Sequence, residues 1–248
     1  MVKITKNFFL VKKIMLIFSI FIILPGICYS DPNFNKSEVN SIESIIEKWL
    51  INHPEKLRSI LTNLAKKEKE EHFNETMQLL TDESANPIIG NPQADVTIYE
   101  FFDYNCGYCK SVFENLMEIV AEDGNIKVEL LEFPILSKES DLASRLALAS
   151  QKQNSYSKFH TELMRYRGRI FEDSLLKIAQ KLELNIEQLK KDAFSSKVEE
   201  ILRKNRLIAN RLELSGTPAF IIGKTVVPGA IDKSQIIELV SQAREEKL

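Results

Sequence analysis

The stretch Val96-Thr97-Ile98-Tyr99-Glu100-Phe101-Phe102-Asp103-Tyr104-Asn105-Cys106-Gly107-Tyr108-Cys109-Lys110 changes its period halfway along. Up to Phe102 it alternates, with Val96, Ile98, Glu100 and Phe102 on one side and Thr97, Tyr99 and Phe101 on the other, which predicts a strand. From Cys106 onward the apolar residues fall at helical spacing, with Phe113, Leu116 and Val120 in line with Cys109. Asn105 suits the cap of that helix, which places Cys106 in its first turn. Cysteines three apart on a helix share a face and can close a short disulfide. Unpaired N–H groups and the helix dipole then stabilise a thiolate at Cys106. Such positions lower a cysteine pKa from about 8.5 into a range of roughly 3.5 to 7.5, making the sulfur both nucleophile and good leaving group. Cys109, further into the helix, is expected to be buried and to act as the resolving thiol.

Working outward, residues 126–133 read as a second strand ended by Pro134. Residues 138–214 are helical in pattern nearly throughout. Two short strands, 219–222 and 225–227, flank a Gly223-Lys224 hairpin turn. A final amphipathic helix from 233 to about 245 turns Ile236, Ile237, Val240 and Ala243 inward. Strand, helix, strand, a block of helices, two strands and a helix make an α/β layer architecture interrupted by an all-helical insertion. Upstream, residues 81–95 carry Pro87, Gly90, Asn91 and Pro92 and read as a linker or domain entry. Residues 34–80 are a separate helical segment. Ile42, Ile45, Ile46, Trp49 and Leu50 form one apolar stripe, and Pro54 opens a second helix carrying Leu57, Ile60, Leu61 and Leu64, then Phe73, Met77 and Leu80. The charge cluster 66–71 within it reads as a solvated face.

The first thirty residues carry Lys3, Lys6, Lys12 and Lys13, then a short apolar run, then Cys28-Tyr29-Ser30 before Asp31. That pattern is a cleavable secretory signal, since the run is shorter than the roughly 20 residues of a spanning helix. Its removal takes four lysines and no acid, moving the net charge from −2 to about −6. Nothing in the charge balance marks a nucleic-acid partner. The remaining cysteines are then Cys106 and Cys109 alone. So tight a ring restricts an unfolded chain little, and the pair is explained by reactivity rather than stapling. Zinc usually takes four ligands, and His53, His72 and His160 are scattered without ligand spacing, so no metal and no cofactor are expected. His160 reads as a packing or surface residue.

Glu100 has two readings. A carboxylate on an apolar row beneath the dithiol is desolvated, with a raised pKa, and can exchange a proton with Cys109. Alternatively the strand is one-sided there and Glu100 faces water. Gly216-Thr217-Pro218 precedes a strand, where proline is tolerated as a plain entry or as a cis peptide.

Taken together, the stretch 100–110, Gly216-Thr217-Pro218-Ala219-Phe220 and Gly229 resemble the DsbA-like group of periplasmic thioredoxin-fold proteins. The resemblance runs from about Ile88 to the C-terminus. It implies a thioredoxin fold with an inserted all-helical domain, divided as 81–137, 138–214 and 215–248. It implies a cis Thr217-Pro218 beside the dithiol, with Thr217, Pro218, Gly107 and Tyr108 meeting an extended substrate by strand addition. It also implies that Glu100 matches the family's buried acid. Typical DsbA oxidases carry Pro-His between the cysteines. Gly107-Tyr108, together with Thr217 before the proline, instead resembles DsbC-type isomerases, and a milder oxidant is expected. The arm 31–80 resembles the oligomerisation segments of DsbC and of trimeric DsbA-like isomerases. The implied activity is disulfide exchange with unfolded or misoxidised secreted proteins in the periplasm, as a homo-oligomeric isomerase kept reduced by a membrane partner. A DsbA-type oxidase recharged by a membrane oxidase stands close behind, and a non-redox holdase is the reading from another class.

Overall fold

The computed structural model describes residues 34–82 and 85–246. The leader read over 1–30 lies outside the described residues. Helix α1 (Lys36–Asn52) starts on Asn35, whose side chain accepts from the N–H groups of Ser37 and Glu38 while Glu38 returns a bond to the Asn35 N–H. This reciprocal cap holds a helix that buries none of its residues. Ile42, Ile45, Ile46 and Trp49 form the predicted stripe, and all are exposed. Helix α2 (Pro54–Thr81) follows. Ile60, Leu61 and Leu64 in its first half are likewise exposed. The cluster 66–71 is solvated as expected, with Lys66–Glu70 and Lys67–Glu71 pairs one turn apart.

The chain divides into two compact units at Ala65/Lys66, inside the segment 31–80 read as an arm. The reason is packing. Leu80 is fully buried with Tyr99, Phe101, Leu131 and Ile208, and Phe73 and Met77 lie against the same cluster.

The second unit is built on a five-stranded sheet of order β1-β3-β2-β4-β5. Its strands are β1 (Ile88–Gly90), β2 (Val96–Phe102), β3 (Ile126–Glu132), β4 (Ala219–Ile222) and β5 (Thr225–Pro228). β2 and β3 are parallel, and the other pairings are antiparallel. The parallel pair requires a crossover, and α3 (Gly107–Asp123) supplies it. Strand β1 makes 81–95 the entry to the sheet rather than a linker. Three residues are too few to show a period, and only pairing with β3 makes them a strand.

β2 is buried on both faces, so its alternation separates two cores rather than core from water. Val96, Ile98 and Phe102 join α3 and the insertion, while Tyr99 and Phe101 join the cluster around Leu80. The insertion comprises α4 (Lys138–Ser150), α5 (Tyr156–Arg165), α6 (Glu172–Lys181), α7 (Ile186–Ala193) and α8 (Ser196–Arg211). Leu146, Phe159, Leu163, Leu175 and Leu189 fill its interior. Helix α9 (Lys233–Glu245) closes the unit with Ile236, Val240 and Ala243 inward, whereas Ile237, also expected to face in, is half-exposed. Consecutive Ile236 and Ile237 point about 100° apart on a helix, and one of them must turn away.

Gly90 is the tightest joint between β1 and the rest. Its φ is +91°, and a Cβ there would lie 2.4 Å from the Ile126 carbonyl oxygen and 2.8 Å from Val120 Cγ1. Gly90→Ala is therefore expected to destabilise the fold by about 2–3 kcal/mol, read as a lower urea midpoint at unchanged m-value.

Candidate active site

The site begins where β2 stops. Asp103 Oδ1 accepts the Asn105 N–H at 2.7 Å, and the Cys106 N–H bonds the Asp103 carbonyl at 3.0 Å, so the chain turns within three residues. Asp103 Oδ2 accepts the N–H groups of Ile135 and Leu136, pinning the loop after β3 to the same turn. Cys106 itself is the N-cap, with extended backbone and no side-chain capping bond, and α3 starts at Gly107. This corrects the assignment of the cap to Asn105. The Asn105 side chain is used elsewhere: Oδ1 accepts the Ile170 N–H at 2.8 Å, and Nδ2 donates to Ser140 Oγ at 3.3 Å. The reactive position is thus the cap itself, one residue earlier relative to the helix than the sequence suggested.

Both cysteines carry free thiols. Cys106 Sγ lies 3.2 Å from the Thr217 carbonyl oxygen. The Thr217-Pro218 peptide is cis. The Pro218 carbonyl accepts the Gly229 N–H at 2.8 Å, across a backbone whose φ of +96° at Gly229 suits glycine. Cys106 is only 6 % exposed, whereas Tyr108 is 71 % exposed and Gly107 has open space on its Cα. The cysteine pair, Gly107-Tyr108 and Thr217-Pro218 therefore come together at one mouth. The Cys106 thiol is pulled down to about 5, foremost by the Cys109 thiol donating to it, then by the Thr217 side chain and the backbone N–H groups of Cys109 and Tyr108, against the opposing effect of burial. Cys109 is fully buried. Burial, then the Cys106 sulfur, then the charge of Glu100 push its thiol far above the ordinary range.

Glu100 pairs with Leu130 on one side and Phe220 on the other, in the middle of the sheet. It is 1 % exposed, which overturns the water-facing reading. Neither carboxylate oxygen has a hydrogen-bond partner among the described residues. Burial first, then the Cys106 and Glu132 charges, raise its pKa to about 8.

A second buried acid was not foreseen. Glu132 pairs with Phe102 at the end of β3 and so shares a sheet face with Glu100. Its Oε1 accepts from Tyr104 at 2.8 Å and Tyr156 at 2.7 Å. Burial raises it to about 8 despite these donors. The Tyr104 hydroxyl also meets His160 Nδ1 at 2.9 Å. His160 is fully buried and stacked on Tyr156, and burial pulls it down to about 3, leaving a neutral imidazole. The partners come from three parts of the chain: Tyr104 from the turn after β2, Glu132 from β3, and Tyr156 and His160 one turn apart on α5, so that only the last two are linked by sequence spacing. Asp103, by contrast, left a legible signal, an Asp two residues before a turn N–H.

An acidic thiolate at a helix start, a buried partner thiol behind it and a cis-proline loop beside it, all on a thioredoxin-type sheet, define a thiol–disulfide oxidoreductase. The profile of the DSBA-like thioredoxin domain matches residues 97–240, and the chain belongs to that family. It is 30% identical over 168 residues to a protein of Bacillus anthracis named probable disulfide bond formation protein D, covering 62% of this chain and 76% of that one. A thioredoxin-like oxidoreductase from Silicibacter pomeroyi superposes with a TM-score of 0.66 at 37% identity, covering 68% of this chain and 97% of its own. A periplasmic thioredoxin-like protein from Salmonella enterica gives 0.62 at 30% identity, over 68% and 96%.

Two outcomes are expected. Iodoacetamide labels reduced Cys106 with a rate that reaches half its plateau near pH 5, while Cys109 stays unlabelled until the protein unfolds, as peptide mapping reads directly. For Glu100 the sign follows from a pKa raised in the fold: ionisation opposes folding progressively as pH rises from 4.5 to about 8, and not below 4.5. Glu100→Gln is expected to stabilise the protein by roughly 2–3 kcal/mol at pH 7, to give no gain at pH 4, and to slow thiol exchange about tenfold or more. Urea melts at the two pH values and stopped-flow exchange rates check it.

Proposed function

We propose that this chain is a periplasmic disulfide isomerase that acts on misoxidised secreted proteins as a homo-oligomer. In this reading residues 1–30 are a cleaved signal, 31–80 supply the assembly segment, and 81–137, 138–214 and 215–248 form the catalytic part. The Cys106 thiolate attacks a client disulfide; one client sulfur is captured as a mixed disulfide and the other leaves as a thiolate. That thiolate, or another of the client, then attacks the captured sulfur, releasing Cys106 with no net oxidation. When a mixed disulfide stalls, Cys109 displaces the client, and Glu100 takes the Cys109 proton. An extended client lies along Thr217 and Pro218, with Gly107 and Tyr108 at its side.

The observation that carries the choice of isomerase is the uncovered apolar stripe of α1, where Ile42, Ile45, Ile46 and Trp49 are all in water. A contiguous face of this kind marks an interaction surface, and a second copy of the same helix matches it. Assembly through it shields the dithiols from a membrane oxidase. Gly107-Tyr108 between the cysteines supports a milder oxidant. The name of the Bacillus relative favours a second reading, in which the same site is a dithiol oxidase recharged at the membrane.

The double variant Ile45→Asp/Trp49→Asp separates them. The native protein is expected to sediment as a multimer and to reactivate a scrambled disulfide substrate. The variant is expected to sediment as a monomer and to lose roughly tenfold or more of that activity while still oxidising a reduced substrate. A native protein that is monomeric, and that oxidises without unscrambling, assigns it to the oxidase class.

A further inference from the structure

Beside the dithiol, the described residues enclose a cleft of about 570 Å³ between the start of α3, the loop after β3 and the loop after α5. Asn105 and Gly107, the two neighbours of Cys106, both line it, so its mouth adjoins the reactive sulfur. Its charged lining is Lys110, Arg167 and Arg169, without an Asp or Glu among the lining residues. In a chain whose net charge is −2, three cations gathered on one wall of the active site are a local reversal of sign.

The wall is held in place from beneath. Lys110 Nζ donates to the carbonyls of Tyr166 at 2.8 Å and Gly168 at 3.3 Å, and Ile170 N–H reaches back to Asn105 at 2.8 Å. The loop that carries Arg167 and Arg169 is therefore fastened to the residue preceding Cys106. Apart from Asp103 and the Cys106 sulfur, whose charges act on Lys110, the acids around it are engaged or exposed. Glu114 is taken in a two-pronged bond by Arg165, and Arg169 touches Glu139 at 3.4 Å with both groups substantially exposed. Burial and then the charge of Arg167 hold Lys110 below the ordinary lysine value, against the opposing charges of Asp103 and Cys106.

We propose that the Lys110–Arg167–Arg169 cleft is a subsite for an acidic side chain, taking the carboxylate of an Asp or Glu next to the client cysteine that Cys106 engages. This deepens the exchange reading above and rests on it. An extended chain advances about 3.3–3.6 Å per residue, so the first or second neighbour of the client cysteine reaches a cleft whose lining begins on either side of Cys106. Guanidinium groups present paired N–H donors that match a carboxylate, and the same field draws an acidic segment in before contact. Arg167 and Arg169 supply selection among clients, while the sulfur chemistry remains with Cys106.

The test uses the full-length reduced protein and two cysteine peptides activated as thiopyridyl disulfides, identical except for Glu or Gln beside the cysteine. Release of pyridine-2-thione reports attack by Cys106. The Glu peptide is expected to react roughly three- to tenfold faster at low salt, with the ratio falling towards one at about 0.5 M salt. Arg167→Gln/Arg169→Gln is expected to bring the low-salt ratio to about one. Arg167→Glu/Arg169→Glu is expected to reverse the preference in favour of a Lys peptide, a gain that a misfolded variant does not produce. Equal rates for Glu and Gln with the native protein, or a preference that survives the double replacement, overturn the subsite and leave the exchange reading standing. Failure of either peptide to release the thione overturns both.

Discussion

A sulfur anion needs a fixed set of donors, and the described fold is arranged around supplying them at one point. Cys106 is the last residue before α3 turns regular, so the N–H groups of Tyr108 and Cys109 remain open towards its sulfur. That position holds only if the helix start cannot drift. β2 delivers the chain from the centre of the sheet, and Asp103 ties the turn to the loop after β3. From the other side the cis Thr217-Pro218 loop brings a carbonyl to 3.2 Å from the sulfur. The helical insertion has a part in this too, since Ile170 and Ser140 are bonded to Asn105, the residue before the nucleophile.

Behind the thiolate the structure holds an unfavourable arrangement. Two carboxyl groups, Glu100 and Glu132, are buried on one sheet face, and burial raises both to about 8. A carboxyl that is protonated near neutral pH is useful where a proton must be given and taken back. Glu132 is held by two tyrosines and stays a neighbour that adds to the charge felt by Glu100. Among the described residues Glu100 has no hydrogen-bond partner to hold it in one state. Its environment favours ready exchange of a proton over stability, the trade seen where buried polar groups serve chemistry. Cys109 is raised by the same burial and by Glu100 itself.

Much of this was legible along the chain. The change from period two to helical spacing at 96–110 located the strand, the helix and the dithiol. Whether Glu100 is buried behind the sulfurs or faces water stayed open along the chain, and its place in the middle of the sheet decided it. Other features were illegible for definite reasons. Strand β1 has three residues and no internal period, and it exists only through its ladder with β3. The true cap of α3 is Cys106 because Asn105 is claimed by Ile170 and Ser140, residues more than thirty positions away. The end of α2 reads like the rest of a helical arm, yet Leu80 belongs to the sheet core.

The sequence by itself determined how the two thiols and the helix start are related, because they lie within a few residues and local geometry relates them. It also determined the stripe of α1, since helical spacing places Ile42, Ile45, Ile46 and Trp49 on one face whatever surrounds them. Only the tertiary structure decided the company those atoms keep. The second acid with its tyrosines and histidine, the carbonyl of Thr217 beside the sulfur and the basic wall of Lys110, Arg167 and Arg169 all depend on distances between segments remote in sequence. Desolvation and Coulomb interaction act through space, so the pKa of Glu100 or Cys106 is a property of the packed molecule and not of any stretch of its chain.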